Sequence, residues 1–286
     1  MRNITMEFIS LAYDVYVPND MQENANPIIL LHGLFWNKYM YRDLAKAICN
    51  ETKRKVYCLD LRNHGESASS EECDAYLMAE DIKMFLRDHN LEKVVFITHS
   101  FSSTITYLIA LDIPHVIEKM VMIDHPPFTD HTKKNFEENV YPQFAAQNRF
   151  LKTLDPHMTL AQAKQKILGL AKMGTKSQEF FLMKVAYDLD KKNGKFQWKT
   201  DHQFLIDRYR EGGFWATPRG SSDHEILIIR SKDSPRLTDV KFEAVLKHNP
   251  KAKLVTFEDT THLLMFEKAE EFVKTVSQFL AGKHEI

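Results

Sequence analysis

The chain reads as an α/β fold: a mostly parallel sheet with helices on both faces and an inserted helical cap. Three observations lead there. Strand-like and helix-like segments alternate through the first half of the 286 residues. The strand-like segments are unbroken apolar runs rather than in-out alternations, the mark of a parallel sheet covered on both faces. After Asp124 the rhythm stops for roughly a hundred residues and then resumes.

In chain order, the expected strands are residues 27–31 (PIILL), 55–59 (KVYCL), 94–97 (VVFI) and 119–123 (KMVMI). Helices are expected between them over 39–50, 75–90 and 103–111, with Leu77, Met78, Ile82, Phe85 and Leu86 along one stripe of the second. His125-Pro126-Pro127 stops the fourth strand, and cap helices are expected over 130–150, 159–172 and 178–188. GKFQWK, residues 194–199, reads as a turn and a short extended piece. The sheet returns at 225–229 (EILII) and 253–257 (KLVTF), and an amphipathic helix over 269–280 ends the pattern. The expected organisation is therefore one core, residues 1–126 and 223–286, interrupted by a cap over 127–222. There is no internal repeat and no low-complexity tract.

Bulk composition narrows the function. Hydrophobic residues make up 44% and aromatics 11%, ordinary for a globular protein with a large apolar interior. A formal net charge of −1, with no long run of like charges, gives no field to recruit nucleic acid or anionic lipid. A small, nearly neutral substrate is the natural partner, and the oligomeric state is left open. Three cysteines, Cys49, Cys58 and Cys73, form neither an even disulfide set nor a metal-ligand spacing. The first twenty residues lack an apolar signal core and carry acidic Glu7 and Asp14, so the cytoplasm is the expected compartment. A mitochondrial location stays open should a presequence have been removed. No stretch of 18 apolar residues exists, and no spanning helix is expected.

The strongest chemical signal is VVFITHSFSST, residues 94–104: an apolar strand, a sharp turn at Ser100, then a helix. That context is what a nucleophile elbow demands, because the turn lifts a serine Oγ above the sheet edge. The usual pattern is Gly-x-Ser-x-Gly, and here Thr98 and Ser102 hold the glycine positions. Upstream, the first apolar strand runs into His32-Gly33-Leu34-Phe35, where such a fold supplies one backbone N–H of an oxyanion hole, with Phe101 supplying the second. Near the other end, Thr260-Thr261-His262-Leu263 follows the last strand and places His262 as the general base that a serine hydroxyl needs.

Two aspartates compete to orient His262. Asp124 ends the strand that follows the elbow helix, and Asp233 follows the next strand. Either could hold the imidazole tautomer. The turn DLRNHGES, residues 60–67, reads mostly as structural, as do His99, His125, His131 and His157, which share no metal spacing. No phosphate loop is present, so neither cofactor nor metal is expected. About half of Phe35, Trp36, Phe101, Phe128, Phe144, Trp198 and Trp215 are expected to line an acyl pocket, beside Leu34 and His32.

Together LLHGLF, LDLRNHGES, THSFSS, the Asp124 strand end, GKFQWK and the His262 loop resemble one branch of the α/β-hydrolases over nearly the whole chain. It is the branch of alpha/beta-hydrolase-domain protein eleven, its bacterial esterase relatives and the yeast ethanol acetyltransferases. The resemblance implies an α/β-hydrolase fold, Ser100 as nucleophile, His262 as base, the amides of Phe35 and Phe101 around the oxyanion, and Asp124 as acid. In that branch Asn-Ser-Pro-like residues often stand where this chain has Asp233-Ser234-Pro235. Thr98, Ser102 and Thr261, each in place of an expected glycine, depart from the pattern, as does Asp233. The expected activity is cleavage of an ester or thioester of a small to medium acyl group through an acyl-enzyme. An acyltransferase using the same residues and a non-catalytic ligand-binding protein on the same scaffold are the competing readings.

Overall fold

The computed structural model describes residues 8–128, 136–171, 176–212 and 214–283. The larger sheet is built from β1 (Tyr13–Tyr16), β2 (Ile28–Leu31), β3 (Val56–Leu59), β4 (Val94–His99), β5 (Ile117–Ile123), β8 (Ile226–Ser231) and β9 (Ala252–Phe257). Their order across the sheet is β1-β3-β2-β4-β5-β8-β9. Every pairing is parallel except that of β1 with β3. β1 was not expected from the sequence, because a four-residue edge strand with half its residues exposed carries no apolar run. The intervening hairpin β6 (Leu189–Lys192) and β7 (Lys195–Trp198) forms a separate two-stranded sheet.

Why the central strands are apolar throughout is visible in where alternate side chains go. Ile29, Leu31, Phe96, Met120, Met122, Ile226 and Ile228 enter one core, while Ile28, Leu30, Val95, Ile97, Val121, Ile123, Leu227 and Ile229 enter the other. Period-two alternation is present, but both faces are dry. Helices α1 (Arg42–Thr52), α2 (Ala75–Asp88), α3 (Ser102–Asp112), α8 (Asp239–His248), α9 (Leu264–Glu267) and α10 (Ala269–Leu280) cover them. α2 starts where the Asp74 carboxylate caps the Leu77 N–H at 2.8 Å, and its stripe of Leu77, Met78, Ile82, Phe85 and Leu86 is buried.

Between β5 and β8 lie a π-helical turn (Phe136–Val140), α4 (Tyr141–Leu151), α5 (Leu160–Ala171), α6 (Lys176–Asp188), the hairpin and α7 (His202–Glu211). The expected helix starts at residues 130–135, His131 and Lys172 lie outside the described residues, as does the Phe144 side chain. This excursion has its own small core around Leu154, Ile167, Val185 and Leu189. Phe136, Leu205, Ile206, Tyr209 and Phe214 belong instead to the main core, so the stretch does not pack as one separate body. The extended piece expected at 194–199 has a partner strand, joined through an Asn193-Gly194 turn with φ of 52° and 78°. Asn-Gly is the residue pair a tight hairpin favours.

The DLRNHGES turn after β3 is a buried polar clamp. Arg62 Nε and Nη2 reach Asp81 of α2 at 2.6 and 2.8 Å, with both side chains fully buried. Asp60 accepts from the Lys38 and Glu66 amides at 2.6 and 2.9 Å and from Lys38 Nζ at 3.0 Å. A Cβ on Gly65, whose φ is +55°, would fall 2.3 Å from Asp60 Oδ2, so only glycine closes this loop.

Removing one partner of the Arg62–Asp81 pair leaves a buried charge without compensation. Asp81→Ala is expected to lower the unfolding free energy by about 3–5 kcal/mol, read as the shift of a chemical denaturation midpoint. A loss under about 1 kcal/mol would mean that water or another group compensates Arg62.

Candidate active site

β4 ends directly in the elbow. Ser100 has φ of +56°, the left-handed region that a non-glycine residue adopts only when its surroundings impose it. The surroundings are visible: its N–H donates to the Ile123 carbonyl at 3.0 Å, and its carbonyl accepts from the Ser103 N–H at 3.0 Å. Ser100 itself stays partly exposed between buried His99 and Phe101. The two positions where glycine was expected are filled without loose ends. The Ser102 hydroxyl donates to the His32 carbonyl, and Thr98 Oγ1 lies 3.3 Å from both Ser103 Oγ and the Val121 carbonyl. The glycine that close approach does require is Gly33, where a Cβ would stand 3.0 Å from His99 Nδ1 and 3.3 Å from Ser100 Cβ.

Facing the elbow, residues 32–35 present backbone donors. Here the structure redistributes the roles expected for this loop. The Phe35 N–H points at His64 Nε2, 3.1 Å away, so it is already used. Since His64 accepts there, its proton sits on Nδ1 and donates to the Arg62 carbonyl at 2.7 Å. Burial, helped by neighbouring His32, pushes the His64 pKa down to about 3 and keeps the ring neutral. His32 is fully buried, accepting from the Leu61 N–H at 3.0 Å and donating to the Gly33 carbonyl at 2.8 Å. It holds the loop and offers no ring nitrogen to a substrate. The Leu34 and Phe101 amides are the ones with no acceptor among the described residues.

His262 sits in the loop between β9 and α9, and three contacts hold it. Ser231 Oγ donates to the Thr260 carbonyl, Glu267 accepts from the Thr261 N–H and hydroxyl at 2.7 and 2.8 Å, and His99 Nε2 donates to the His262 carbonyl at 3.0 Å. His262 Nδ1 then meets Asp124 Oδ2 at 2.7 Å. Asp124 is fully buried, with φ of +51°, and also accepts from the Ser231 N–H at 3.1 Å and the Ser234 hydroxyl at 2.9 Å. Asp233 is exposed on the turn beyond β8. Geometry therefore separates two aspartates that spacing left equal. Ser100 Oγ makes no hydrogen bond among the described residues, leaving the hydroxyl free to turn toward a ligand.

Electrostatics favour a neutral imidazole. Burial pushes His262 well below the usual histidine range, and the positive charge of Arg236 and the ring of His125 push the same way. Burial also raises Asp124, against the lowering pull of its Ser234 and Ser231 donors. His99 is held far down by burial and by His262. No local pattern signals the supporting parts played by His99, Ser231 and Ser234, since each acts across a long chain separation.

The aromatic candidates divide. Phe101 stacks on Phe214 at 5.2 Å and meets Trp215 edge-on at 4.5 Å, while Phe35 stands edge-on to His202 at 5.7 Å. Trp36 stacks against Phe266 with centroids 6.0 Å apart, in the opposite core. Phe128 packs edge-on to Tyr107 at 4.7 Å, and Trp198 donates to Asn148 Oδ1 at 2.9 Å. The excursion reaches the loops beside the site, with Asn37 donating to Asp188 Oδ1 at 3.2 Å and the Gly65 N–H to Thr200 Oγ1 at 3.2 Å. Among the described residues no group of three or more His, Cys, Asp or Glu is arranged to hold a metal ion, and no helix is long and apolar enough to cross a membrane.

Residues 26–269 match a family model described as the alpha/beta hydrolase fold. The chain is similar to ethanol acetyltransferase 1 of Cyberlindnera fabianii, 24% identical over 96% of this chain and 87% of that protein. It is equally similar to the sn-1-specific diacylglycerol lipase ABHD11 of Danio rerio, 24% identical over 95% of this chain and 83% of that protein. Among solved structures a marine microorganism esterase superposes with a TM-score of 0.75 at 23% identity, covering 95% of this chain and 99% of that one, a likeness of fold.

A histidine whose neutral form is favoured by folding titrates below its ordinary value of 6.5. The ring signals of His262, followed by NMR, are expected to shift with a midpoint below about pH 6.5. Any ester turnover that needs the neutral ring then stays at its plateau down through neutrality and falls only on the acid side. A midpoint at or above about pH 7 would contradict this environment.

Proposed function

This chain belongs to the alpha/beta hydrolase family, and we propose that within it the protein is a serine hydrolase that cleaves a carboxylic ester or thioester of a small to medium acyl group. The observation that carries the reading is the Asp124–His262 hydrogen bond, 2.7 Å long, beside a serine held at φ of +56°. A buried carboxylate on imidazole Nδ1 leaves Nε2 as the acceptor, which is the tautomer a general base needs. Asp124 is then the acid, and exposed Asp233 is a bystander.

In this mechanism His262 Nε2 takes the Ser100 proton as Oγ bonds to the acyl carbon. The negative charge that collects on the carbonyl oxygen is met by the Leu34 and Phe101 amides. Leu34 replaces Phe35 in this role because the Phe35 N–H is spent on His64. Collapse breaks the bond to the alcohol or thiol, which leaves with the proton held on His262. Water then gives its proton to His262 and attacks the acyl carbon, releasing the acid and restoring Ser100. Residues 127–222 are the proposed, mainly helical cap, joined to the loops beside the site through the Asp188 and Thr200 contacts. The three cysteines are free and buried, which suits a reducing compartment such as the cytoplasm.

The similarity to an ethanol acetyltransferase supports a second outcome at the same acyl-enzyme, in which an alcohol replaces water. Product analysis separates the two: with ethanol added to an acyl ester, hydrolysis gives mainly free acid and transfer gives mainly the ethyl ester.

A fluorophosphonate probe is expected to modify the protein stoichiometrically at Ser100, by peptide mapping. Ser100→Ala should lose roughly 10⁴- to 10⁶-fold in ester turnover while remaining folded. No labelling of the folded wild type would instead favour a ligand-binding protein. Asp124→Asn keeps size but favours the wrong tautomer, and a loss of about 10⁴ in kcat is expected. Asp233→Asn should stay within about tenfold of wild type, as an exposed bystander does. The opposite ranking would move the acid to Asp233.

A further inference from the structure

The loop after β8 carries a cation that no carboxylate of the described residues contacts directly. Arg54, Arg62, Arg210 and Arg230 each reach a carboxylate, at 2.8, 2.6, 2.6 and 2.6 Å. Arg236 is also largely withdrawn from solvent, yet among the described residues its guanidinium has neither hydrogen bond nor ion pair. Its backbone is fixed: the N–H donates to Ser234 Oγ at 3.2 Å, and Lys241 Nζ donates to its carbonyl at 3.1 Å. The same Ser234 hydroxyl donates to Asp124, so Arg236 stands two residues from a direct contact with the Asp124–His262 pair.

Its charge acts on that centre. Arg236 interacts electrostatically with Asp124, His99, His125 and His262. The anion in this set is Asp124, whose oxygens are already engaged by His262, the Ser231 N–H and Ser234. Burial works against the guanidinium's charge without removing it. A cation held in a half-buried place with no hydrogen-bonded partner is unfavourable by itself, and an anionic ligand would offset that cost.

We propose that Arg236 is the specificity-determining residue of the site, and that the substrate is an ester carrying a free carboxylate which docks on its guanidinium. The proposal rests on the serine-hydrolase reading for the word ester, and on the unpaired guanidinium for the word carboxylate. One planar fork whose donors are unused among the described residues matches a monoanionic carboxylate, which it can bind through two parallel N–H bonds. A phosphate dianion would call for a second cation, and the nearest candidate, Lys241, is already committed to the Pro235 and Arg236 carbonyls. Docking has a second effect. The bound anion offsets the repulsion between Arg236 and the imidazolium that forms on His262, so the charged substrate itself makes His262 a better base.

The test compares monoethyl glutarate with ethyl pentanoate, which differ only in a terminal carboxylate against a methyl group. Wild type is expected to prefer the charged ester by at least tenfold in kcat/KM. Arg236→Gln should cut that preference roughly a hundredfold, mainly through KM, and Arg236→Lys should restore part of it. Equal losses on both esters, or a preference indifferent to Arg236→Gln in folded protein, would overturn the proposal while leaving the hydrolase reading in place. Calorimetric binding of monoethyl glutarate to Ser100→Ala protein separates the two in the other direction. Binding that disappears on adding Arg236→Gln supports the carboxylate site even if Ser100 proves not to turn over esters. Inorganic phosphate displacing the half-ester more strongly than acetate does would overturn the choice of carboxylate.

Discussion

The hydrogen bond from His262 Nδ1 to Asp124 Oδ2 joins residues 138 positions apart, and much of the molecule is arranged around keeping it at 2.7 Å. Asp124 is fully buried, a place where a carboxylate is unfavourable unless its oxygens are satisfied. Ser231 and Ser234, both from the neighbouring strand and its turn, supply the remaining donors. Parallel pairing of β5 with β8 and of β8 with β9 brings Asp124, Ser231 and the His262 loop to one sheet edge. At that same edge β4 ends in Ser100. The site is thus a consequence of four parallel strands ending together, which is the general place for ligands in open α/β sheets.

Around this edge, buried polar groups do the positioning that glycines do elsewhere. The Ser102 hydroxyl fastens the elbow helix to the His32 carbonyl, and the ring of His32 fastens that loop to Leu61. His64 then takes the Phe35 amide. His32 and His64 each use both ring nitrogens on backbone, so burial does not leave them unsatisfied. Thr98 and Ser102 are tolerated for the same reason: a hydroxyl that finds a carbonyl is not a penalty. The result is a loop in which, among the described residues, the Leu34 amide rather than the Phe35 amide is left without an acceptor.

Charge follows the same economy of partners. Asp60 with Lys38, Arg62 with Asp81, and Arg54 with Glu118 each close a local pair away from Ser100. Near His262 the arrangement differs, because the Asp124 carboxylate already serves the imidazole while, among the described residues, the Arg236 guanidinium makes no hydrogen bond. A guanidinium whose N–H donors are unused among the described residues is complementary to a substrate that brings one carboxylate.

The amino-acid sequence alone determined the fold class and the existence and order of the central strands, with their ends off by one to two residues, and it offered Ser100 and His262 as the candidate centre. Short solid apolar runs alternating with helical patterns read as strands covered on both faces, and a serine in a strand-to-helix turn or a histidine after the last strand is legible from local pattern. The final helix was readable to its ends, Ala269–Leu280, because its apolar stripe is periodic along one segment. Edge strand β1 was not, since exposed residues carry no such pattern. What only the tertiary structure decided was which groups meet: the direct Asp124–His262 contact that spacing left open between Asp124 and Asp233, His64 on the Phe35 amide, His99 beneath the His262 loop and, among the described residues, Arg236 without a hydrogen-bonded partner. Hydrophobic periodicity is a property of neighbours in the chain. The direction of an N–H and the partner of a buried charge depend on groups tens to more than a hundred residues away, and those are brought together only when the sheet is assembled.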